Sequence, residues 1–446
     1  MSSSDITESV TESTADISPP SYRPAMAWVI TGMLVIFIAI NWADKALFGL
    51  IAQPVAEELG LSSTQVGMIG SAFFFLFSIT GLSVGFIADR VKVKWVLFTL
   101  AALWSVAQLP VLVSASVATL LFNRIALGAA EGPASAMANV GAFQWFPKEK
   151  RALPSAWLTS GGSIAKILVA PLLVLLIAAY GWRSAFLTLA ALGLVWCVAW
   201  LLISKEGPYA TRNHLPVGYE AAPDSAPAHR VPFRTIASSG TFIGASIGAF
   251  AMYAMTSVVL TWLPSYFEVG LGYSRVQSGA MFGLPSIFSM VAMIAVSWFT
   301  DRQLARGATS RGMRALVAAG ALSVGGLLLA ALPLVGGQLW PVVLLSCGYG
   351  TVAVSIPLLF ASISQIAPVT QQAGALGVFV AFYSVAGLVA PALTGMIVDS
   401  AETPGAGYAL AFQIIGIAAM IAGLAVAFLM HPERDAARIA PMPARH

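Results

Sequence analysis

Uninterrupted apolar runs, each long enough to cross a lipid bilayer, recur along almost the whole of this 446-residue sequence. A membrane-spanning helix needs about 20 apolar residues. A lone strand cannot satisfy its backbone hydrogen bonds in lipid, and no alternating segments of about ten residues occur, so we interpret the runs as helices. The sequence therefore predicts an all-α membrane protein with twelve transmembrane helices. They lie near 25–52, 63–88, 95–115, 117–145, 152–180, 184–203, 238–267, 275–299, 314–334, 338–365, 371–398 and 407–430.

The composition excludes the soluble classes of protein. Hydrophobic residues make up 58% of the chain and charged residues only 9%, whereas soluble domains carry about 25% charged residues. The same composition is incompatible with disorder over most of the length. No nucleophile–base arrangement and no metal-ligand spacing is visible, and all four histidines lie in polar loops or the tail. We therefore expect a protein that is not an enzyme and has no cofactor or metal site.

Lys and Arg residues are distributed unevenly between the loops. With twelve helices, both termini lie on the same side of the membrane, and only Arg183 and Arg275 lie in the loops on the opposite side. Because cytoplasmic loops are enriched in Lys and Arg, we expect both termini in the cytoplasm and a multi-pass protein of the cell (inner) membrane. This bias accounts for the net charge of +4 without a nucleic-acid partner.

The longest polar stretch divides the chain into two similar halves of six runs each. Residues 168–171 and 388–391 both read Leu-Val-Ala-Pro at corresponding places in the two halves. Two such repeats around a site at the membrane midplane are typical of alternating access. We expect two six-helix bundles related by pseudo-symmetry. The predicted domains are a disordered cytoplasmic tail over 1–24, an N-terminal bundle over 25–203, a cytoplasmic linker over 204–237, a C-terminal bundle over 238–430 and a cytoplasmic tail over 431–446.

Five ionisable side chains lie inside the predicted helices, all in the first half: Asp44, Lys45, Arg124, Glu131 and Lys166. A charge at the bilayer centre costs at least about 2.5–3.5 kcal/mol, so such residues persist where they pair or face a cavity. Arg124 and Glu131 are two turns apart and share a helix face, whereas Asp44 and Lys45 point in directions about 100° apart. Glu131 and Asp44 are therefore candidates for proton coupling, and Lys45 is a candidate anion ligand.

One loop resembles a motif of the major facilitator superfamily, and the likeness to that superfamily extends over essentially the whole chain. Gly85, Asp89, Arg90 and Lys94 follow the superfamily's motif between its second and third helices, with Lys92 at or near the place of a usual glycine. The resemblance implies the major facilitator fold. It also implies that Asp89 and Arg90 hold the cytoplasmic gate.

Within that superfamily the chain is most similar to the anion:cation symporter family, which includes sugar-acid permeases and sialin-like transporters. The residues that carry this similarity are Asn41-Trp42-Ala43-Asp44-Lys45, Arg124 with Glu131-Gly132-Pro133, and Phe146-Pro147-Lys148 with Arg151. The resemblance implies that Asp44 and Glu131 take up protons during symport. It also implies that position 45 and Arg124 bind the substrate carboxylate.

Four positions depart from what the family leads us to expect. Lys45 stands where Arg is common, Trp42 and Phe77 stand in place of tyrosines of sugar-acid members, and Gly81 stands in place of a Gln. A pocket without these hydroxyl and amide groups is poorly suited to a polyol. We therefore expect Trp42 and Phe77 to contact a carboxylate with few hydroxyl groups, either aromatic or short.

Further substrate contacts are expected from both halves. Lys166 could meet a second carboxylate, and it could equally reach toward the membrane surface or pair with Glu131. The second half has no charge inside its predicted helices, and its polar candidates include Tyr383 and Ser355. Such groups can fix the orientation of a substrate.

The sequence thus predicts a monomeric, proton-coupled symporter that imports an organic carboxylate across the lipid bilayer by alternating access. One alternative is a sugar-acid/proton symporter. Another is a proton-driven exporter of amphipathic compounds with the same fold. The three cations Lys45, Arg124 and Lys166 argue against the exporter, because they are a poor environment for a cationic drug.

Overall fold

The protein is all-helical throughout the part of the chain that the structure, a computed structural model, describes: residues 24–88, 91–147, 150–210, 231–368 and 371–439. Eleven helical stretches within these ranges are long and apolar enough to cross a membrane. The predicted run at 117–145 supplies the twelfth, as two consecutive shorter helices. The all-α fold with twelve membrane helices is therefore confirmed. Asp89, Arg90, nearly all of the tail over 1–24, much of the linker and the end of the C-terminal tail lie outside the described residues.

We number the membrane helices α1–α12 in chain order, six in each half. The first six are α1 Pro24–Leu59, α2 Ser63–Ala88, α3 Val93–Ala107 with Leu109–Val113, α4 Val117–Glu131 with Ala134–Phe143, α5 Ala152–Ile164 with Ala165–Val169 and Ala170–Tyr180, and α6 Arg183–Ile203. The second six are α7 Gly240–Ser265 with Tyr266–Gly270, α8 Arg275–Met281 with Leu284–Ala305, α9 Arg311–Leu316 with Val317–Ala330, α10 Leu339–Ala353 with Ser355–Ile366, α11 Gln372–Ser400, and α12 Pro404–Leu429. Two short helices, Phe233–Ala237 and Pro432–Ile439, precede α7 and follow α12.

Several helices are interrupted at residues that explain the interruption. α4 is interrupted at Gly132-Pro133, directly after Glu131, because proline lacks the backbone N–H that would continue the helical hydrogen bonds. α5 widens into a π-helical turn over Ala165–Val169. Pro171 offers no N–H to the carbonyl of Ile167, and its ring would crowd that carbonyl in a regular α-helix. Both irregularities fall beside an ionisable residue of the membrane interior.

Glycines allow α4 to lie directly against α2. A Cβ atom at Gly128 would collide with the backbone carbonyl oxygen of Phe73, and one at Gly132 would collide with that of Phe77. Small residues at helix crossings let membrane helices approach this closely. Because Glu131 lies between the two glycines in sequence, the crossing holds the segment of α4 that carries it against α2.

The two halves meet at the end of the molecule opposite the termini. The carboxylate of Asp399, near the end of α11, accepts hydrogen bonds from the backbone N–H groups of Ser63 at 2.9 Å and Thr64 at 2.7 Å. A carboxylate at a helix N-terminus satisfies free donors and complements the helix dipole. Arg275, at the start of α8, reaches Glu57 of α1 at 3.3 Å. These contacts close that end of the molecule.

The crossing of α2 and α4 predicts a strong effect of a single methyl group. We expect Gly128→Ala to destabilise the protein by about 1–3 kcal/mol, because the added Cβ must push α4 away from the Phe73 carbonyl. The matched control is Gly32→Ala, since a Cβ at Gly32 meets no atom within 4 Å. Thermal unfolding in detergent should show a lower melting temperature for the first variant only. Equal melting temperatures would show that the crossing tolerates a side chain.

Candidate functional site

The ionisable residues of the first half gather in the middle of the membrane helices. Asp44 and Lys45 lie on α1, and the nearer end of that helix, Leu59, is about 20 Å away at 1.5 Å per residue. Asp44, Arg124 and Glu131 are at most 5% exposed, and Lys45 is 8% exposed. We call these four residues, with Lys166, Trp42 and Phe77, the central site.

Lys45 and Glu131 form the ion pair of this site. The Nζ atom of Lys45 lies 3.5 Å from Oε2 of Glu131 and donates a hydrogen bond to Oδ1 of Asn41 at 2.6 Å. Its ammonium group also lies 4.9 Å from the ring centre of Trp42 and 5.2 Å from that of Phe77. Neither oxygen of Glu131 has a hydrogen-bond donor among the described residues. The carboxylate is therefore held mainly by the charge of Lys45.

Asp44 points to a different helix from its neighbour Lys45, since successive residues of a helix are turned by about 100°. Its Oδ1 atom accepts a hydrogen bond of 2.8 Å from Nε2 of Gln108, which lies at the joint between the two segments of α3. The second oxygen, Oδ2, has no partner among the described residues. Asp44 thus keeps one free acceptor in the interior.

Arg124 is held between aromatic rings and forms no direct ion pair within the described chain. Its guanidinium carbon lies 5.0 Å from the ring centre of Phe48 and 4.8 Å from that of Phe73. One NH group donates to the backbone carbonyl of Asp44 at 3.4 Å, whereas the Nε group has no partner among the described residues. Arg124 and Glu131 share a helix face, but it is Lys45 that pairs with Glu131. Arg124 therefore keeps donors for another acceptor.

Lys166 lies beside the same tryptophan as Lys45. Its Nζ atom is 4.7 Å from the ring centre of Trp42 and 6.0 Å from that of Tyr349 on α10. Trp42 also packs on α5 itself, because a Cβ atom at Gly162 would lie 3.0 Å from its indole nitrogen. No carboxylate of the described residues pairs with Lys166. The alternative in which Lys166 pairs with Glu131 is therefore wrong for this conformation.

A chain of aromatic contacts links the central site to the second half. Phe77 and Phe74 have ring centres 6.2 Å apart, Phe74 and Tyr253 5.7 Å, and Tyr253 and Tyr383 4.9 Å. Tyr383 is half-buried. The predicted contact residue on α11 thus faces the charged cluster across an aromatic layer.

Ser355 lies in a different environment from the one we expected. It is fully buried at the joint of α10, and its hydroxyl donates to the backbone carbonyl of Val352 at 2.7 Å. A serine that bonds back to its own helix has used its only donor. The predicted role of Ser355 in substrate binding has no support in this geometry, and we leave it out of the site.

Two amide residues of the site were missing from the sequence-based prediction. Gln108 binds Asp44, and Asn123, beside Arg124, donates to the backbone carbonyl of Ala107 at 3.0 Å. Both are fully buried, and each retains a side-chain oxygen to which no described residue donates. Amides inside apolar runs were a usable signal, because burying an unpaired polar group is costly.

Similarity to known proteins agrees with this geometry. Residues 33–359 match the sequence family described as Major Facilitator Superfamily. That range covers most of the chain, so the protein belongs to the major facilitator superfamily. It is a secondary transporter of the membrane and not an enzyme.

The sequences of curated relatives align with this chain over nearly its whole length. The hexuronate transporter of Bacillus subtilis is 27% identical over 405 residues, which cover 90% of this chain and 94% of that protein. A probable sulfoacetate transporter of Cupriavidus necator is 27% identical over 90% of this chain and 93% of its own length. A probable galactarate/D-glucarate transporter of B. subtilis is 25% identical over 86% and 89%. These relatives are consistent with the likeness to the anion:cation symporter family.

Solved structures share the fold. A bacterial homologue of the human lysosomal transporter Spinster superposes with a TM-score of 0.76 at 15% identity and covers 95% of this chain and 100% of its own. A D-xylose–proton symporter superposes with a TM-score of 0.74 at 16% identity, over 93% of this chain and 99% of its own. Both confirm the predicted major facilitator fold.

The Lys45–Glu131 pair predicts how the site responds to loss of either charge. We expect Lys45→Met and Glu131→Gln each to destabilise the protein, by up to about 3–5 kcal/mol, because each removes one partner of a buried ion pair. The double variant should recover most of the stability, since both charges are gone. Melting temperatures of the three variants in detergent measure the coupling. If the effects of the single variants simply add in the double variant, the two side chains do not depend on each other.

Proposed function

We propose that the protein is a proton-coupled symporter that imports an organic carboxylate by alternating access around the central site. The observation that carries the proposal is the buried pair of Lys45 and Glu131 beside partly free cations. An incoming carboxylate needs a fixed cation to replace its lost hydration. Lys45 can serve as that cation only if the substrate competes with Glu131 for it.

This competition supplies a physical reason for coupling. Glu131 has no hydrogen-bond donor of its own among the described residues, so its charge depends on the ammonium group of Lys45 at 3.5 Å. Once a substrate carboxylate shares that ammonium, an ionised Glu131 would be a poorly compensated charge in a low-dielectric interior. It takes up a proton instead, so anion and proton enter the site together.

Asp44 and Arg124 complete the proposed machinery. Arg124 has an unpartnered Nε group and planar, bidentate donors that suit a carboxylate better than a lysine does. Asp44 has one satisfied and one free oxygen, so it is a second candidate for carrying a proton. We retain Asp89 and Arg90 as the proposed cytoplasmic gate.

The wider arrangement of the molecule follows from the same proposal. We propose bundles over 25–203 and 238–430 joined by a cytoplasmic linker, in a monomer of the inner membrane with both termini in the cytoplasm. The bundles would rock about the central site. The contacts of Asp399 and Arg275 would open when the substrate enters from outside.

The aromatic lining favours an acid with few hydroxyl groups. Trp42 and Phe77 are half-buried beside Lys45, and such rings stack on flat or apolar bodies. Sugar acids are the second candidate class, because hexuronate and galactarate/D-glucarate are in the names of the relatives. Sulfoacetate, in the name of another relative, is a short acid without hydroxyl groups.

The first test concerns proton coupling. In proteoliposomes, we expect an inward proton gradient to drive uptake by the unaltered protein, and a protonophore to abolish it. Glu131→Gln should lose gradient-driven accumulation and retain substrate exchange, because binding survives without the titrating group. Glu206→Gln is the matched control, since Glu206 pairs with Lys92 at the exposed surface. Accumulation by Glu131→Gln at the level of the unaltered protein would exclude Glu131 as the coupling residue.

A second test concerns the substrate. Binding of benzoate, a short hydroxy acid and a six-carbon sugar acid should be compared on one preparation, and we expect the sugar acid to bind most weakly. Arg124→Lys should weaken binding of the preferred acid about tenfold or more, because the bidentate contact is lost. If the sugar acid binds most strongly, sugar acids become the favoured substrate class. Binding of a cationic amphiphile and of no acid would favour an exporter.

A further inference from the structure

We propose that Lys166 forms a second anion subsite, so that the transported acid carries two negatively charged groups. This inference rests on the proposed function, because it assigns the substrate class of the same central site. Its evidence is the position of Lys166, the absence of an acidic partner within the described chain, and the charge balance around Trp42.

The position of Lys166 excludes the interpretation that it reaches toward the membrane surface. It lies in the middle of the span Leu153–Tyr180, about 20 Å from either end at 1.5 Å per residue. A lysine side chain is too short to bring its ammonium group to the membrane surface over that distance. The ammonium group therefore stays in the membrane interior and needs a polar environment there.

The local backbone around Lys166 is also unusual. The turn Ala165–Val169 is π-helical, whereas the other π-helical turns of the described residues lie at the end of α7 and the start of α9. Turns of this kind within a helix frequently occur at functional sites. Here the widened turn carries Lys166 on the helix that packs against Trp42.

Trp42 brings Lys166 and Lys45 to one place. Their Nζ atoms lie 4.7 Å and 4.9 Å from its ring centre, so the two ammonium groups are less than about 10 Å apart. Lys45 has Glu131 and Asn41 as partners, whereas among the described residues the ammonium group of Lys166 contacts only the rings of Trp42 and Tyr349. Two cations this close in a low-dielectric interior repel each other, and an anion between them removes that repulsion.

The charge balance of the central site indicates how many negative groups the substrate carries. Lys45, Arg124 and Lys166 exceed Asp44 and Glu131 by one positive charge when both acids are ionised. Once Glu131 holds a proton, the excess is two. A substrate with one carboxylate would then leave one interior cation uncompensated, whereas an acid with two negative groups balances the site. One group would meet Lys45 and Arg124, and the other would meet Lys166.

The second half of the protein packs against the same π-helical turn, Ala165–Val169. A Cβ atom at Gly283, at the break in α8, would lie 2.9 Å from the backbone oxygen of Lys166. The second half also supplies Tyr349. The second subsite therefore lies where the two halves touch, so a group bound there contacts both.

Matched pairs of acids test the proposal, because the members of each pair differ by one carboxylate. The probes are terephthalate with benzoate, adipate with hexanoate, and glucarate with gluconate. Their affinities are measured on the purified full-length protein for the unaltered chain, Lys166→Met and Lys166→Arg. In the pair that binds best, we expect the unaltered protein to prefer the diacid by about tenfold or more, since a charge-assisted contact is worth that factor.

The variants separate a subsite from a structural role. Lys166→Met should weaken the diacid about tenfold more than the matched monoacid, whereas Lys166→Arg should keep most of the preference. The subsite proposal would be overturned if Lys166→Met still preferred the diacid, or if it weakened the binding of diacid and monoacid equally. Neither result would contradict the binding of carboxylates by the central site. Failure of all six acids to bind to the unaltered protein would overturn the proposed function as well.

Discussion

The buried ion pair of Lys45 and Glu131 is the constraint on which the rest of this structure depends. An isolated charge in the middle of a membrane helix is costly, and the contact of 3.5 Å between Lys45 on α1 and Glu131 on α4 offsets that cost. Gly128 and Gly132 remove the side chains that would keep α4 away from α2. The break at Gly132-Pro133 follows directly after Glu131. The packing of α4 on α2 and the position of Glu131 therefore depend on the same short segment of α4.

The two halves contribute different chemistry to the central site. The first half supplies the charged side chains of the central site, whereas the second half supplies Tyr253, Tyr349 and Tyr383. This division suits the proposed alternating access. The charged residues lie on one bundle and the three tyrosines on the other, so the ion pair need not separate when the bundles move. Contacts such as that of Asp399 with the start of α2 can then exchange without disturbing the buried pair.

Much of this arrangement can be predicted from the sequence, and the remainder depends on packing. Apolar runs determine the twelve helices, and the cost of burying charge singles out the five ionisable residues. The sequence cannot say that Glu131 pairs with Lys45 and not with Arg124. That choice depends on the rotation of α4 against α1, which the close packing of Gly128 and Gly132 on α2 restricts. The π-helical turn at Lys166 was missed for a similar reason, since its importance appears only when α5 packs on α1. Gln108, in contrast, could have been found as an amide inside an apolar run.

The central claim is that a substrate anion displaces Glu131 from Lys45 and causes it to take up a proton. Titration calorimetry of the preferred acid, in buffers with different heats of ionisation at one pH, counts the protons taken up on binding. The account predicts net uptake of protons by the unaltered protein, and less uptake by Glu131→Gln at comparable occupancy. Binding without any proton uptake, or equal uptake by both proteins, would contradict it.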